Sequence, residues 1–184
     1  MEKVEQSKLE QISFLFDQNK YDQVITKSVL MGYFGSALVN DLHYPQVARL
    51  DAGEFTILGG DPHHPDVVEL IQSQPIFFVT AENEAWAEVL QKTLGKTPEY
   101  ISFTAYSPNQ LDKALLQRHV DSLDDSYSVV RMDEILCERV PEALGNEYFF
   151  EMFESIEDFL NRGVGFCILK NDRIVAAVTS MAAA

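Results

Sequence analysis

The chain has 184 residues, with 29 Asp and Glu against 14 Lys and Arg, a formal net charge of −15. Twelve Phe and seven Tyr supply a packed core and exclude a disordered chain. The charge excludes a nucleic-acid surface, which needs clustered Lys and Arg, and favours a cationic small molecule such as an amine.

No apolar run reaches membrane-spanning length, and Met1-Glu-Lys-Val-Glu-Gln6 shows no signal-peptide core. Cys137 and Cys167 stand in unrelated contexts, so a reducing, cytoplasmic setting without a membrane partner is expected.

Residues 1–30 carry helical periodicity, with Leu9, Ile12, Leu15 and Phe16 followed by Tyr21, Val24 and Ile25. Gly32 and Gly35 end that region. Strands are predicted at Ser36–Val39, Val47–Leu50 and Glu54–Leu58, with turns at Asn40-Asp41 and Asp51-Ala52-Gly53. Asp61-Pro62-His63-His64-Pro65 is a stiff loop, and Pro65 suits the first turn of a helix running to Gln74. Ile76–Thr80 reads as a fully apolar strand. Glu84–Leu94 reads as a helix with Trp86, Val89 and Leu90 inward and Gly95 as its stop. Thr97-Pro98 reads as a joint that divides an N-terminal α/β half, 1–98, from a second unit, 99–184.

The second unit opens with a strand at Tyr100–Tyr106, a helix near Gln110–Val120 and an acidic turn at Asp121–Ser126. Tyr127–Arg131 is a strand leading into a helix at Met132–Arg139, closed by Pro141 and Gly145. Ser155-Ile156-Glu157-Asp158 is a capping-box variant, with Ile156, Phe159 and Leu160 as the inner face of a short helix that Gly163 ends. Two apolar runs, 164–170 and 173–179, then flank Asn171-Asp172. Both turn residues tolerate the positive φ of a type I′ hairpin. Val164, Phe166 and Ile168 point to one face, Cys167 and Leu169 to the other, so the hairpin is expected inside a sheet covered on both sides. The sequence stops at Ser180–Ala184 directly after it. Strand Arg173–Ser180 is therefore expected to need cover, as in a homo-oligomer.

The order strand, helix, helix, strand, hairpin strand resembles the opening of the GNAT N-acetyltransferase fold, ahead of its cofactor-binding strand–helix unit. Four stretches carry a closer likeness: Gly35-Ser-Ala-Leu-Val-Asn-Asp41, Pro45-Gln-Val-Ala48, Phe55-Thr-Ile-Leu-Gly-Gly-Asp61 and Glu157-Asp-Phe-Leu-Asn-Arg-Gly-Val-Gly-Phe-Cys-Ile-Leu169. They look similar to the family of the zwittermicin-resistance acetyltransferase. The resemblance implies an α/β (α+β) fold with a mixed sheet flanked by helices. An N-terminal α/β half would precede an incomplete, truncated GNAT-like β-α-α-β-β unit. It also implies acetyl transfer from acetyl-CoA to a small amine, with a backbone N–H steadying the oxyanion. The family's Gln/Arg-x-x-Gly-x-Gly/Ala phosphate loop is not spelled in this sequence. Gly163-Val164-Gly165 offers the glycines, but Leu160 stands where Gln or Arg belongs and a strand follows. Cofactor-binding residues are thus unassigned. The competing expectation is a non-catalytic remnant that binds a ligand or oligomerises.

In that fold the connection between the first two helices lines the acceptor site. Here it runs from Pro141 to Phe153, aromatics interleaved with acids, and the substrate-binding candidates are Glu147, Phe150 and Glu151. A carboxylate there could take the ammonium proton of an amine; the plainer alternative is aromatic core packing under a solvated acidic face. Catalytic residues are not assigned. Asp61, His63 and His64 sit among prolines with no further Cys/His cluster, so no metal is expected. Cys167 reads as a core thiol, Trp86 as core packing, and His119 as a partner of a helix C-terminus. His43 stands in a turn with no visible partner.

Overall fold

In the computed structural model, described for residues 1–20, 22–95, 99, 109 and 111–183, the strands form two sheets. The first contains β1 (Glu2–Lys3), β2 (Ser36–Val39), β3 (Val47–Ala52), β4 (Phe55–Gly60) and β5 (Phe78–Thr80), paired in that order. β1 to β4 are antiparallel; β5 joins β4 in parallel, which makes the sheet mixed. Alternation along β3 and β4 sorts side chains to two faces. Ala48, Leu50, Ala52 and Ile57 pack under a 3-10 helix (Gln6–Phe16) and α1 (Gln23–Leu30). Val47 and Leu58 pack on the other face under α2 (Val67–Gln72) and α3 (Glu84–Leu94), where Trp86 and Leu90 are buried.

The N-terminal helical stretch is wound as a 3-10 helix. Leu9 and Ile12 are buried three residues apart, a spacing that the 3-10 turn eclipses onto one line. A Cβ at Gly59 would lie 2.6 Å from Phe16 Cε1, so the bare backbone of β4 is what lets Phe16 lie against it. Val24 is exposed rather than inward. The helix after Pro65 starts later than expected, at Val67, and β5 is shorter, with Phe77 exposed at the edge and Phe78 stacked 5.8 Å from Phe55.

The expected strand at 100–106, the joint at 97–98 and Tyr21 lie outside the described residues. α4 (Lys113–Asp121) begins where Asp112 accepts hydrogen bonds from the N–H groups of Ala114 and Leu115, and it buries no residue.

The second sheet has the order β6 (Tyr127–Arg131), β7 (Gly165–Lys170), β8 (Arg173–Thr179), all antiparallel. Asn171 and Asp172 take φ of 49° and 64°, the hairpin geometry read from their identities. Opposite Ile168 and Leu169 the partners are Ala176 and Ile174, so Val175 bulges out of the ladder. Between β6 and β7 run α5 (Glu134–Leu144) and α6 (Ile156–Arg162).

Two expectations fail here. Of the two residues expected to close α5, Gly145 does so, with φ 65°, but Pro141 lies inside the helix. Proline forfeits one N–H bond to residue 137, while Val140 and Leu144 keep the extra turn packed on the core. Nor, among the described residues, is the hairpin covered on both faces. Val130, Cys167, Ile174 and Ala177 pack under α5 and α6 with Phe159. Phe166 and Val178, on the opposite face, are 40% and 64% exposed. The helices linking β6 to β7 pack on one side only.

Candidate functional site

The connection from α5 to α6, residues 145–155, is pegged at both ends. After Gly145 turns the chain, Asn146 Oδ1 accepts the Tyr148 N–H at 2.9 Å. At the far end Ser155 Oγ accepts the Asp158 N–H at 3.1 Å, and Asp158 Oδ2 accepts the Glu154 N–H at 3.1 Å. This is the expected capping box shifted by one: the acid reaches back past the cap residue to Glu154. Between the pegs the aromatics gather on α6. Phe150 and Phe159 have ring centroids 4.6 Å apart, and Phe153 meets Phe159 edge-on at 5.2 Å.

A cleft of about 210 Å³ opens between this loop and the end of β8. The loop contributes Asn146, Tyr148, Phe149, Glu151 and Met152; the other wall is Thr179 and Met181. Thr179 Oγ1 donates to the Phe149 carbonyl at 3.4 Å and ties the two walls together. Of the three residues singled out from sequence, Glu151 lines the cleft. Glu147 is exposed and outside the lining, and Phe150 is committed to the aromatic cluster, its neighbour Phe149 taking the wall position. Within the predicted stretch Asn146, Tyr148, Phe149 and Met152 line the cleft without having been singled out, and Thr179 and Met181 lie outside that stretch; only Asn146, as a turn former, carried a local signal.

The first half of the chain completes the surroundings. A Cβ on Gly53, in the β3–β4 turn, would lie 3.3 Å from Glu151 Oε1 and 3.7 Å from Met152 Cε. The Arg162 guanidinium sits 4.2 Å from the Tyr33 ring centroid and 5.7 Å from that of Phe153. It also forks onto Asp158, Nε to Oδ1 at 2.6 Å and Nη2 to Oδ2. That hydrogen bond holds the Asp158 carboxyl below the usual aspartate range and pushes the Arg162 guanidinium up.

The other candidate side chains serve the fold. Burial pushes the Cys137 thiol up to about 11, with Cys167 beside it adding to the effect, and burial raises Cys167 as well. Neither is poised as a thiolate at neutral pH. His64 Nδ1 accepts the Asp66 N–H at 3.2 Å and its Nε2 meets Gln46 Oε1 at 2.8 Å, while Asp61 Oδ1 accepts the His63 N–H at 2.9 Å. Among the described residues no group of three His, Cys, Asp or Glu is arranged to hold a metal ion. His119 falls in the last turn of α4, Trp86 in the core under α3, and the His43 N–H donates to Asp41 Oδ1.

The Gly163–Gly165 stretch does not fit a nucleotide pyrophosphate. Around Gly163 and Gly165 the N–H groups are used within the fold, Gly163 donating to Phe159 O at 2.6 Å and Val164 to Ser180 Oγ at 2.9 Å. Cβ atoms on these two glycines would strike Phe159 and Met132, so the glycines serve packing. Four of the described α-helices begin with an aspartate, Asp22, Asp66, Asp112 and Asp133, whose charge opposes phosphate at the helix end. None of the described helices is long and apolar enough to cross a membrane.

A family model described as GNAT acetyltransferase matches residues 13–184. Matching solved structures include a GCN5-related N-acetyltransferase-like protein from Streptococcus suis, with a TM-score of 0.75 and 24% identity over 96% of this chain and 71% of that one. At that identity the likeness is one of fold. No match is found among curated proteins.

Proposed function

Because the chain belongs to the GNAT acetyltransferase family, we propose that it serves acetyl transfer to a small amine, received in the cleft under the α5–α6 loop. The observation that carries this is Glu151 on the wall of a cleft that also presents Phe149, Met152 and Met181, with Asn146, Tyr148 and Thr179 as its remaining lining. An amine arrives as an ammonium ion and must lose a proton before it can attack a carbonyl. A carboxylate beside apolar walls holds the cation, and it accepts the proton directly or through a water. The apolar walls select amines that carry hydrocarbon, and the net charge of −15 draws cations toward the surface. The family takes its acetyl group from acetyl-CoA. Gly163 and Gly165, the glycines nearest to the family's phosphate-loop pattern, are committed to packing on Phe159 and Met132 here.

Two measurements test the reading. Titration of the 184-residue chain with benzylamine is expected to show saturable binding that weakens about tenfold in Glu151→Gln, in line with a charged hydrogen bond. Unchanged affinity in Glu151→Gln overturns the assignment. Calorimetry with acetyl-CoA is expected to show weak or no binding by this chain. A micromolar dissociation constant would point to Gly163–Phe166 first. Benzylamine binding without thiol release from acetyl-CoA is accordingly expected of this chain, and thiol release would overturn that expectation. The reading places the protein in the cytoplasm, on the strength of its two unpaired thiols.

A further inference from the structure

On the first half of the chain, away from the α5–α6 cleft, a groove of about 680 Å³ runs between the 3-10 helix and the β2–β3 loop, residues 40–46. Its apolar walls include Phe14, Leu42, Tyr44 and Pro45. The loop has no slack. Asn40 Oδ1 accepts the N–H groups of Gln46 and Val47 at 2.9 and 3.2 Å. Asp41 Oδ1 accepts those of His43 and Tyr44 at 2.7 and 2.9 Å, and Glu2 Oε2 accepts that of Leu42 at 2.9 Å. Five backbone donors are thus fixed by three side chains. Yet the loop holds the Tyr44 side chain 82% exposed, and Phe14 faces it from the helix 54% exposed. Ordering a loop in order to hold aromatic rings in water gains nothing for the fold. It does prepare a binding surface whose ordering cost is already met.

The polar groups around the rings name the ligand. They are Lys8, Gln11, His43 and Gln46; no Asp or Glu belongs to the lining itself, and the bordering carboxylates are engaged, Glu2 by the Leu42 N–H, Asp41 by the His43 and Tyr44 N–H groups and Glu5 by Lys8. Gln46 Oε1 is engaged by His64, which turns its amide N–H₂ group away from that contact. The Lys8 ammonium meets Glu5 at 3.0 Å, a pair with both side chains more than half exposed. Such a pair is worth about 0.2–1 kcal/mol and yields readily to a better-placed anion. We propose that this groove binds a small aromatic carboxylate. Its ring lies against Tyr44 and Phe14, and its carboxylate is met by Lys8 with help from the neighbouring amide and imidazole donors.

The proposal does not depend on acetyl transfer, and its probes differ in charge from the acceptor of the α5–α6 cleft. Three ligands of one shape, naphthoate, naphthylmethanol and naphthylmethylamine, are titrated into the ¹⁵N-labelled full chain. Naphthoate is expected to shift the amides of Leu42–Gln46 and Lys8 and to bind about tenfold more tightly than the alcohol. The amine is expected to bind most weakly at these amides. Lys8→Met should bring naphthoate down to the affinity of the alcohol while leaving the alcohol unchanged. Tyr44→Ala should weaken both by about tenfold, with no loss of melting temperature, because the ring is exposed. Naphthoate shifts that are absent, that fall elsewhere, or that persist undiminished in Lys8→Met overturn the proposal. So does equal binding of the amine at these amides.

Discussion

Arg49 offers the sharpest test of how the first half is held together. It lies on β3, fully buried, with its guanidinium spread over six acceptor contacts. Nε donates to Asp51 Oδ1 and Oδ2 at 2.8 and 2.9 Å. Nη1 donates to the carbonyls of Ile71 and Gln74 at 3.1 and 3.0 Å, and Nη2 to Pro75 O at 2.9 Å and Thr56 Oγ1 at 3.4 Å. The side chain therefore caps the C-terminal end of α2 and neutralises Asp51 together. Arg49→Met keeps much of the volume but strands a largely buried carboxylate and three carbonyls. Breaking such a pair costs about 3–5 kcal/mol, against a total stability on the order of 5–15 kcal/mol. Arg49→Lys, a single compact donor head in place of a fork, should lose about half as much. Urea unfolding followed by Trp86 fluorescence reads this directly, since Trp86 packs in the same layer. The double variant Arg49→Met/Asp51→Val removes both charges and should recover at least half of the loss. A loss below about 1 kcal/mol in Arg49→Met, or no recovery in the double variant, would refute the reasoning.

Asp158 sits below the ordinary aspartate value of 3.8 in the folded chain because Arg162 donates to it. A depressed folded pKa gives stability that is present above the unfolded value and lost as pH falls through the folded one. Asp158→Asn should therefore lower the melting temperature at pH 7 by about 2–4 °C, and the gap to wild type should close in acid; a constant gap would contradict the linkage. Asn171→Val and Asp172→Val should each cost about 1–2 kcal/mol, because a β-branched residue fits positive φ poorly; chemical denaturation measures it, and a neutral result would mean the turn rearranges. The exposed face with Phe166 and Val178 should drive self-association at micromolar concentration, with Val178→Lys returning the chain to a monomer in sedimentation; a wild-type monomer would sink that expectation.

Much of the fold was legible wherever a local signal was enough. Asn171-Asp172 between apolar runs gave the hairpin, Gly95 gave the end of α3, and β6 fell at Tyr127–Arg131 as read. The misses share a cause, namely a distant partner. Pro141 read as a helix end because only the core under Val140 and Leu144 shows that the helix continues. Arg49 passed unremarked within the predicted strand Val47–Leu50 because the carbonyls it caps lie 22 to 26 positions away. The apolar pattern of 164–179 showed that both faces were greasy; which face the helices cover depended on the connections between β6 and β7.

The cleft was half legible for the same reason. From sequence, Glu147, Phe150 and Glu151 are equivalent members of one acidic-aromatic stretch, and nothing local tells a wall from a packing residue. What separates them is the other half of the molecule. Glu151 and Met152 approach the β3–β4 turn at Gly53, and Arg162 stacks on Tyr33. Past β8, Ala182 packs on the core under the 3-10 helix and Ala183 on the core under α5. That tail spans the two cores and carries Met181, one wall of the cleft. The cleft thus takes its shape from how the two sheets are joined, so the proposed benzylamine affinity is expected to change in Gly53→Val or Tyr33→Ala, although neither residue lines the cleft; titrations indistinguishable from wild type would refute the coupling. A reading confined to one loop had no means of seeing it.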